Sequence, residues 1–306
     1  MDRPPNPRRP GIREAQRAPV RVAHALILVS LLLLAVSCGF ANAGTSSPPA
    51  GALAVSFIDV GQGDATLVQS GGENYLIDAG RPEAGPEVVD FLRSRGVREL
   101  DGLVATHPDA DHIGGLPDVL DAFPVSTVYL SGEDDKGTTT FNTFLRAVQD
   151  EGAQTLLARA GMQEDWGGTQ VTVLSPPPDS EGGLFGESNE DSVSMLLVFG
   201  TARILLTGDA ENRGEEYMST GRFAGPLTVL KVGHHGSNTS TTPLFLNRFR
   251  PEVAVIAVGE NSYGHPTPQT LRRLKTVGAE VFRTDEDGDV IVTIKDEKID
   301  VAVTQY

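Results

Sequence analysis

The chain has 306 residues, of which 39% are apolar, and its 25 basic and 41 acidic side chains give a formal net charge of −16. This length allows one large domain or two ordinary ones, and the composition is that of a globular protein rather than a fibrous or broadly disordered one. So acidic a surface repels polyanions, which argues against a nucleic-acid-binding protein that relies on a basic groove.

Residues 1–43 predict an export signal. Six arginines precede the apolar run AHALILVSLLLLAVS, which is short for a membrane-spanning helix. Two processing sites compete after it: ANA at 41–43 has the form of ordinary signal-peptidase cleavage, and LAVSC ending at Cys38 resembles a bacterial lipobox. Either site predicts an extracytoplasmic protein, secreted in the first case and lipid-anchored at the cell surface in the second. Removal of 1–43 leaves 19 basic and 39 acidic residues, a charge of −20, and no cysteine for a disulfide or a thiolate site.

A Ser/Pro/Gly linker at 44–52 precedes a predicted domain at 53–306. Short apolar runs between glycine turns predict strands at 53–60, 65–70, 74–80, 100–107, 125–131 and 154–159, with helices at 85–96, 114–123 and 141–152. A second group of strands is predicted at 168–177, 192–200, 202–209, 227–235, 253–259, 279–284 and 289–294, with helices at 210–219, 242–249 and 268–277. Two strand-rich halves with interleaved helices predict an α/β (α+β) fold, in which two sheets pack face to face with helices outside.

The densest polar cluster follows the predicted strand that ends at His107. His107, Asp109, Asp111 and His112 occupy four of six positions, and a double glycine comes just beyond them. Capping of the next helix needs only one aspartate, whereas a turn at a strand end can arrange all four side chains around one or two ions. Imidazole and carboxylate ligands suit Zn, Mn or Fe. The segment therefore predicts a metal site.

Four more candidates follow later strands. Asp209 comes after ILLTG, where it is either a metal ligand or the cap of the following helix. His234 and His235 follow LTVLKVG, and adjacent side chains at a strand end cannot point the same way, so we expect at most one of them to bind metal. His265 lies in NSYGHPTP, where a turn residue and a functional residue fit the pattern equally well.

Other polar residues of these loops are candidates for supporting roles. Asp59 and Asp64 lie in FIDVGQGDA, where each is either part of a tight turn or a neighbour of the site. Asp78 ends the next predicted strand, and we expect it to orient a metal-bound histidine through the second ring nitrogen. Lys231, two residues before Gly233, is expected to be solvated or paired rather than catalytic.

The segments LIDAG, THPDADHIGG, LLTGDAE and KVGHHGS, in this order, resemble the motifs of the metallo-β-lactamase superfamily. The sequence over residues 53–305 is similar to the extracytoplasmic hydrolase domain of ComEC-type DNA-internalisation competence proteins. The segments that carry this similarity are FIDVGQGDA, THPDADHIGGL, LKVGHHGS and YGHP. The resemblance implies a four-layer αββα sandwich with one or two divalent metal ions at one edge of the sheets. It implies six metal ligands, namely His107, Asp109, Asp111, His112, Asp209 and His234. The first two would form one site and the next two the other, with Asp209 as the bridge and His234 completing the second site.

Two departures from the superfamily pattern change the expected metal. Asp109 stands where histidine is usual, and no histidine occurs between His112 and His234, although a further ligand is expected there. The candidates to replace that ligand are Asn189, Asp191 and Ser192. Both changes make the first site richer in oxygen, which moves the preferred ion from Zn towards Mn or Mg.

Three functions stay open at this point. The resemblance implies a phosphodiesterase or nuclease acting on DNA with a metal-activated water, in which Asp111 accepts the proton and His235 or His265 assists the leaving group. The alternative is a hydrolase of a small phosphoester, lactone or lactam, and the third is a cell-surface binding module that has lost activity. ComEC-type proteins usually carry transmembrane helices for a DNA channel. No segment here besides the signal has that character, so a role in DNA uptake is not carried over.

Overall fold

The structure is a computed structural model that describes Met1 and residues 47–132, 137–178 and 189–304. The chain divides into two units, Met1–Val36 and Ser37–Tyr306, and the fold described below is that of the second. Apart from Met1, the predicted signal peptide lies outside the described residues, as do Cys38 and the first part of the linker. Within the described ranges, no helix is both long and apolar enough to cross a bilayer.

Fifteen strands of the described chain form two sheets. The first sheet has the order β15-β14-β1-β2-β3-β4-β5-β6, with strands at Leu53–Phe57 (β1), Thr66–Ser70 (β2), Glu73–Ile77 (β3), Leu100–Ala105 (β4), Val125–Leu130 (β5), Gln154–Leu157 (β6), Val290–Lys295 (β14) and Lys298–Val303 (β15). The second has the order β13-β12-β11-β10-β9-β8-β7, with strands at Gln163–Trp166 (β7), Thr169–Ser175 (β8), Ser194–Phe199 (β9), Ala202–Leu206 (β10), Leu227–Lys231 (β11), Pro251–Ile256 (β12) and Glu280–Arg283 (β13).

Eight α-helices occur among the described residues, at Gly85–Ser94 (α1), Ala110–Ile113 (α2), Leu116–Ala122 (α3), Thr139–Glu151 (α4), Asn212–Thr220 (α5), Pro243–Phe249 (α6), Pro268–Val277 (α7) and Thr284–Asp287 (α8). The ends of α7 are set by capping residues. The Thr267 side chain accepts a hydrogen bond from Thr270 N at the start of α7, Pro268 occupies its first turn, and Gly278 ends it in the left-handed conformation. These start and stop signals are readable in the sequence, and the helix boundaries predicted there are confirmed.

The two sheets enclose a common apolar core, and helices cover both outer faces. In β3, Tyr75 and Ile77 point into the core between the sheets, while Leu76 packs outwards among residues of α1, α3 and α4. A third apolar cluster joins the outer face of the second sheet to α5, α6 and α7. The sandwich is therefore helix, sheet, sheet, helix, and the predicted four-layer αββα architecture is confirmed.

Parallel strands in both sheets direct their following loops to one edge. In the first sheet β3, β4 and β5 are parallel neighbours, and in the second β10, β11, β12 and β13 are. The loops after β3 and β4 therefore leave one edge of the first sheet and those after β10 and β11 leave one edge of the second, and the two sets meet where His112 Nε2 lies 3.3 Å from Asp209 Oδ2.

Two edge strands fall outside the predicted set. β7 (QEDW) pairs only with β8, and β15 (KIDVAV) pairs only with β14. β7 is polar, and β15 has an exposed first half before Val301 and Val303, which pack partly against the core, so neither has the long apolar run of an internal strand. Their pairing depends on the neighbouring strand rather than on their own composition.

Candidate metal centre

Strand-end loops from both sheets converge on one group of buried acids and histidines. Asp78 follows β3, His107 and His112 follow β4, and Asp209 and His235 follow β10 and β11. All five side chains are buried, and so is that of Asp64 from the β1–β2 loop. Four overlapping groups of ligand-type atoms lie within 4.8 Å of one another: His107/His112/Asp209, Asp111/His112/His235, Asp64/Asp78/His112 and Asp64/Asp209/His235.

The segment after β4 is shaped by a short helix. Asp109 is the N-cap residue of α2, in extended conformation, and Asp111 and His112 follow in its single turn. The β1–β2 loop packs tightly against this turn, because Asp64 N donates to Asp111 O at 3.1 Å. Gly63 makes the approach possible, since a Cβ at this position would overlap the same carbonyl oxygen.

Asp78 orients His112 through the hydrogen-bond network at the end of β4. Its Oδ1 accepts from Thr106 N at 2.9 Å, and its Oδ2 accepts from Thr106 Oγ1 at 2.6 Å and from His112 Nδ1 at 2.8 Å. The Thr106 hydroxyl hydrogen is thereby used, so its oxygen accepts from His107 Nδ1 at 3.1 Å. With Nδ1 protonated in both rings, the Nε2 lone pairs of His107 and His112 are available to a cation.

His235 and His234 leave β11 in different directions. Both have left-handed backbone conformations, with φ of 50° and 46°, and their ring centroids are 6.0 Å apart. His235 Nδ1 donates to Ala257 O at 2.9 Å, which directs Nε2 inwards to 3.3 Å from Asp209 Oδ2 and 3.5 Å from Asp111 Oδ2. His234 Nδ1 instead donates to Glu211 Oε1 at 2.6 Å, and its Nε2 is 3.9 Å from Asp209 Oδ2.

Several of these inward-facing atoms lack a partner of their own. Within the described residues, no hydrogen bond is made by Nε2 of His107, His112 or His235, or by one carboxylate oxygen each of Asp64 and Asp209. Buried polar atoms are costly when left unpaired, so a convergent group of them needs a ligand. Imidazole lone pairs and carboxylate oxygens fit a divalent cation, which is the class of cofactor that the sequence predicts for this part of the chain.

Charge compensation in the site comes from Lys231 as well as from the histidines. Its Nζ pairs with Asp64 Oδ2, donates to Gly208 O at 2.8 Å and lies 3.6 Å from Asp209 Oδ1. Burial alone would lower the pKa of Lys231, but the two carboxylates outweigh it and raise that pKa, so the ammonium stays charged. Of the two expected states of Lys231, solvated or paired, the structure shows the paired one, in a buried position.

The protonation of the site is set by opposing effects of burial and charge. Burial, with the neighbouring His112, lowers the pKa of His107 to about 4, so this imidazole is neutral near pH 7. Burial would also lower the pKa of His112 and His235, but the surrounding carboxylates raise both. Burial would raise the pKa of Asp209, and His235, His112 and Lys231 together hold it well below its usual range. Asp209 is therefore ionised, and its three neighbours are His112, His235 and the charged Lys231.

The match to known proteins agrees with this geometry. The pattern of the "Metallo-beta-lactamase superfamily" matches residues 58–260. The chain belongs to this superfamily. Membership implies a metal-dependent hydrolase with divalent ions at the edge of the two sheets, where the His/Asp groups lie.

Two bacterial relatives carry the superfamily domain within longer chains. "Competence protein ComA" of Neisseria gonorrhoeae is 35% identical over 263 residues, which cover 85% of this chain and 34% of that one. "Recombination protein 2" of Haemophilus influenzae is 31% identical over 253 residues, covering 81% of this chain and 29% of that one. The chain thus spans about a third of the length of these relatives, and the predicted resemblance to competence proteins is confirmed.

A solved structure supports the fold alone. The diiron β-hydroxylase CmlA of Streptomyces venezuelae is 12% identical and superposes with a TM-score of 0.52, over 78% of this chain and 53% of that one. At this identity the likeness extends to the superfamily sandwich and not to the reaction.

The other predicted site residues lie around the metallo-β-lactamase-type cluster rather than inside its four groups. Asp109 Oδ2 is 3.8 Å from His107 Nε2, at a half-exposed position. Ser192 Oγ accepts from Asp209 N at 3.1 Å and lies 3.4 Å from His107 Nδ1, so it supports two members of the cluster. Asn189 Nδ2 is 3.4 Å from the ring nitrogens of His234. Asp191, which lies between Asn189 and Ser192 in the sequence, is buried, and among the described residues it belongs to none of the four ligand groups.

Asp59 and His265 lie farther out. Asp59 Oδ1 accepts from Gly61 N at 3.0 Å, and Asp59 N donates to Asp289, so this aspartate stabilises the turn. The ring of His265 is 5.4 Å from that of His234, and burial together with the nearby histidines lowers the pKa of His265. Asp209 does not cap the following helix, since the N-cap residue of α5 is Glu211.

Three residues of the site are absent from the predicted set. Thr106 bridges Asp78 and His107, while Glu211 accepts from both His234 and Thr239. Thr106 directly precedes the dense motif and Glu211 lies two residues after Asp209, so adjacency to a predicted ligand is the signal that identifies them. Thr239 offers no such signal.

Proposed function

We propose that the protein is an exported phosphodiesterase that cleaves nucleic acid with the help of one or two divalent ions. The observation that carries the proposal is the position of Asp209, whose Oδ2 is 3.3 Å from both His112 Nε2 and His235 Nε2. A carboxylate between two histidine-containing groups suits a pair of ions, which is a common arrangement for in-line displacement at phosphorus. The relationship to competence proteins over most of the chain supports a nucleic acid as the substrate.

The proposed ligands are divided between the two sides of Asp209. His107, His112 and Asp209 form one group, with Asp109 at its exposed rim. On the other side, we propose His235 rather than His234 as the ligand, together with Asp111, because only the ring of His235 directs a buried, unpaired nitrogen inwards. The oxygen-rich rim favours Mn over Zn, with Mg as a further candidate. When bound, such ions supply Lewis acidity and lower the pKa of water towards neutrality.

The chain's own residues would then position the reactants. Water forms a new P–O bond and releases a proton to solvent by way of Asp111, while the bond from phosphorus to one nucleoside oxygen breaks and that oxygen takes up a proton from solvent. His235 helps to hold the pKa of Asp111 below its usual range although burial opposes this, so Asp111 is ionised and accepts a hydrogen bond from the attacking water. His265, at the outer side of the cluster, is placed to hydrogen-bond the leaving oxygen.

The N-terminal segment supports an extracytoplasmic location. The arginines, the short apolar run and the two candidate processing sites together are typical of an exported protein. We propose export with either a free N-terminus after residue 43 or a lipid on Cys38. Mass spectrometry of the chain recovered from expressing bacteria distinguishes these outcomes, and an intact N-terminus in the cytoplasm would contradict both.

A small phosphoester or lactone is the second candidate substrate. The net charge of −16 favours it, because an acidic surface does not attract a long polyanion. A β-lactam fits less well, since the half-exposed Asp109 gives the first metal site more oxygen than a zinc lactamase needs. A binding module without activity fits least well, because three imidazole nitrogens and two carboxylate oxygens of the cluster make no hydrogen bond within the described residues.

A substrate panel tests these alternatives directly. Chelator-treated protein is supplied with Mn²⁺, Zn²⁺ or Mg²⁺ and incubated with single- and double-stranded DNA, bis(p-nitrophenyl) phosphate, a lactone and a chromogenic β-lactam, beside a His112→Ala variant. We expect metal-dependent cleavage of DNA and of the small diester that His112→Ala lacks. Equal DNA cleavage by the variant would contradict the nuclease assignment, and hydrolysis of the lactone or the lactam alone would favour the second candidate.

A further inference from the structure

Four aromatic rings form a row from the buried cluster to the surface. The ring centroids of His235 and His234 are 6.0 Å apart, those of His234 and His265 are 5.4 Å apart, and those of His265 and Tyr263 are 5.8 Å apart. Exposure increases along the row: His235 is buried, His234 and His265 are partly exposed, and Tyr263 is 67% exposed. The row therefore connects the proposed metal ligands to one exposed aromatic side chain.

The loop that carries Tyr263 is held in place by a single asparagine. Asn261 Oδ1 accepts from Tyr263 N and His265 N, each at 3.1 Å. Its Nδ2 donates to Gly259 O and His265 O, each at 2.8 Å. Four hydrogen bonds from one side chain close the turn, so Tyr263 is presented on a fixed backbone. Because the backbone at Tyr263 is already ordered, a ligand that stacks on the ring does not have to order the loop.

The charge of the protein limits how it can hold a nucleic acid. A strand gripped through its phosphates needs Lys and Arg along its path, yet acidic residues outnumber basic ones by 41 to 25. Near the row, His234 is paired with Glu211 and Asp209 lies behind it. Stacking of a base on an aromatic ring does not require positive charge, and it depends on an unpaired base with a free face.

We propose that Tyr263 is a stacking platform for a nucleobase of a single-stranded nucleic acid, next to the phosphate that is hydrolysed. This inference rests on the proposed phosphodiesterase function and specifies its substrate as single-stranded. The base would lie on the exposed face of Tyr263, with His265 and His234 between it and the metal ligands. Discrimination between single and double strands then comes from the ring, because a paired and stacked base cannot offer its face.

Alanine and phenylalanine variants of Tyr263 test the platform. We compare cleavage of a short oligothymidylate with cleavage of bis(p-nitrophenyl) phosphate, which has no base, for wild type, Tyr263→Ala, Tyr263→Phe and the control Tyr217→Ala. Tyr217 is another partly exposed tyrosine, on α5 beside a separate cavity. Loss of one stacked base predicts a rise in KM for the oligonucleotide of about 10-fold in Tyr263→Ala. Tyr263→Phe and Tyr217→Ala should keep the wild-type KM, and the small diester should be cleaved equally by all four proteins.

A binding measurement makes the result independent of catalysis. An oligothymidylate that carries 5-iodouracil is bound to the metal-free protein and irradiated, and the crosslinked residue is identified by mass spectrometry. We expect a crosslink at Tyr263 that Tyr263→Ala lacks. If wild type binds and cleaves the strand and Tyr263→Ala does so equally well, the platform is refuted and the phosphodiesterase stands. If the strand crosslinks to Tyr263 and is never cleaved with any metal, the proposed activity is refuted, and of the platform only the binding of a base by Tyr263 stands. If wild type neither binds nor cleaves it, both are refuted.

Discussion

Replacement of Asp78 by asparagine tests how the fold prepares His112 for a metal. Asp78 is fully buried and accepts three hydrogen bonds, from Thr106 N, Thr106 Oγ1 and His112 Nδ1, at 2.6 to 2.9 Å. If the amide NH₂ of asparagine replaces Oδ2, it faces the His112 ring as a donor. The ring proton then moves from Nδ1 to Nε2, which removes the lone pair that the metal needs. The opposite amide orientation places NH₂ against the Thr106 N–H, a buried donor without an acceptor.

Both orientations carry a measurable cost. Loss of a partner that fixes a ligand's tautomer typically weakens metal affinity by about 10- to 100-fold. The metal-free protein also loses a charge-assisted acceptor at a buried position, which is expected to lower the free energy of unfolding by about 1–3 kcal/mol. Asp78→Asn is therefore expected to bind Mn²⁺ at least about 10-fold more weakly than wild type and to unfold at lower denaturant concentration.

Isothermal titration calorimetry on chelator-treated protein measures the affinity, and denaturant unfolding without metal measures the stability. Asp101→Asn is the matched control, because Asp101 also accepts a backbone N–H, from Asn74, but at the start of β4 rather than at its end. We expect the control to bind Mn²⁺ with wild-type affinity. A folded Asp78→Asn protein that binds within twofold of wild type would refute the assigned role of Asp78.

Three further predictions concern stability and pH. Burial raises the pKa of Glu215 to about 7 from 4.5, so the folded state binds the carboxyl proton more tightly than the unfolded state does. The free energy of unfolding of wild type should therefore fall by about 3 kcal/mol as the pH rises from about 4.5 to about 7. Glu215→Gln should remove this loss in denaturant unfolding at pH 4 and pH 8, and an unchanged pH slope would contradict it. The surrounding carboxylates raise the pKa of His112 in spite of its burial, so protons compete with the metal for this ring. The calorimetric Kd for Mn²⁺ should therefore increase as the pH falls from 8 to 6, and a Kd that stays constant would refute this prediction. Gly63→Ala should lower the thermal midpoint and the Mn²⁺ affinity, because the added Cβ overlaps Asp111 O. The control is Gly61→Ala, where nothing lies within 4 Å of the added Cβ, so that this variant should lose only the backbone strain of a left-handed alanine, about 1 kcal/mol. Equal effects of the two substitutions would contradict the packing of Gly63 against Asp111.

Much of the fold follows from the sequence because its internal strands are apolar and its turns contain glycine. The rhythm of strands and helices predicts two sheets with outer helices, and the structure confirms this arrangement. β7 and β15 could not be predicted in the same way, since β7 has no apolar run, β15 has only a short one at 301–303, and each is stabilised by a single neighbouring strand. Each pairs in a short hairpin with the strand next to it in the chain, so the neighbouring strand rather than its own composition decides the pairing.

The sequence predicts where the site lies, but it does not predict which of the adjacent histidines points inwards or where the Lys231 side chain lies. Strand-end motifs indicate that Asp78, His112 and Asp209 meet, and they do so in the structure. The choice between His234 and His235 depends on two successive left-handed residues, which sequence spacing does not reveal. The inward position of Lys231 is equally hidden, because a lysine near a strand end is usually solvated, and only the buried acids around it stabilise its charge.

The central claim is that the acids and histidines around Asp209 form a metal centre that hydrolyses phosphodiesters. The most direct test returns Mn²⁺ stepwise to chelator-treated protein while metal binding and cleavage of a single-stranded oligonucleotide are followed together. We expect the rate to rise with bound metal, to saturate at the same stoichiometry, and to be lost together with tight binding in Asp209→Asn. Cleavage that persists without metal, or that Asp209→Asn retains at the wild-type rate, would contradict it.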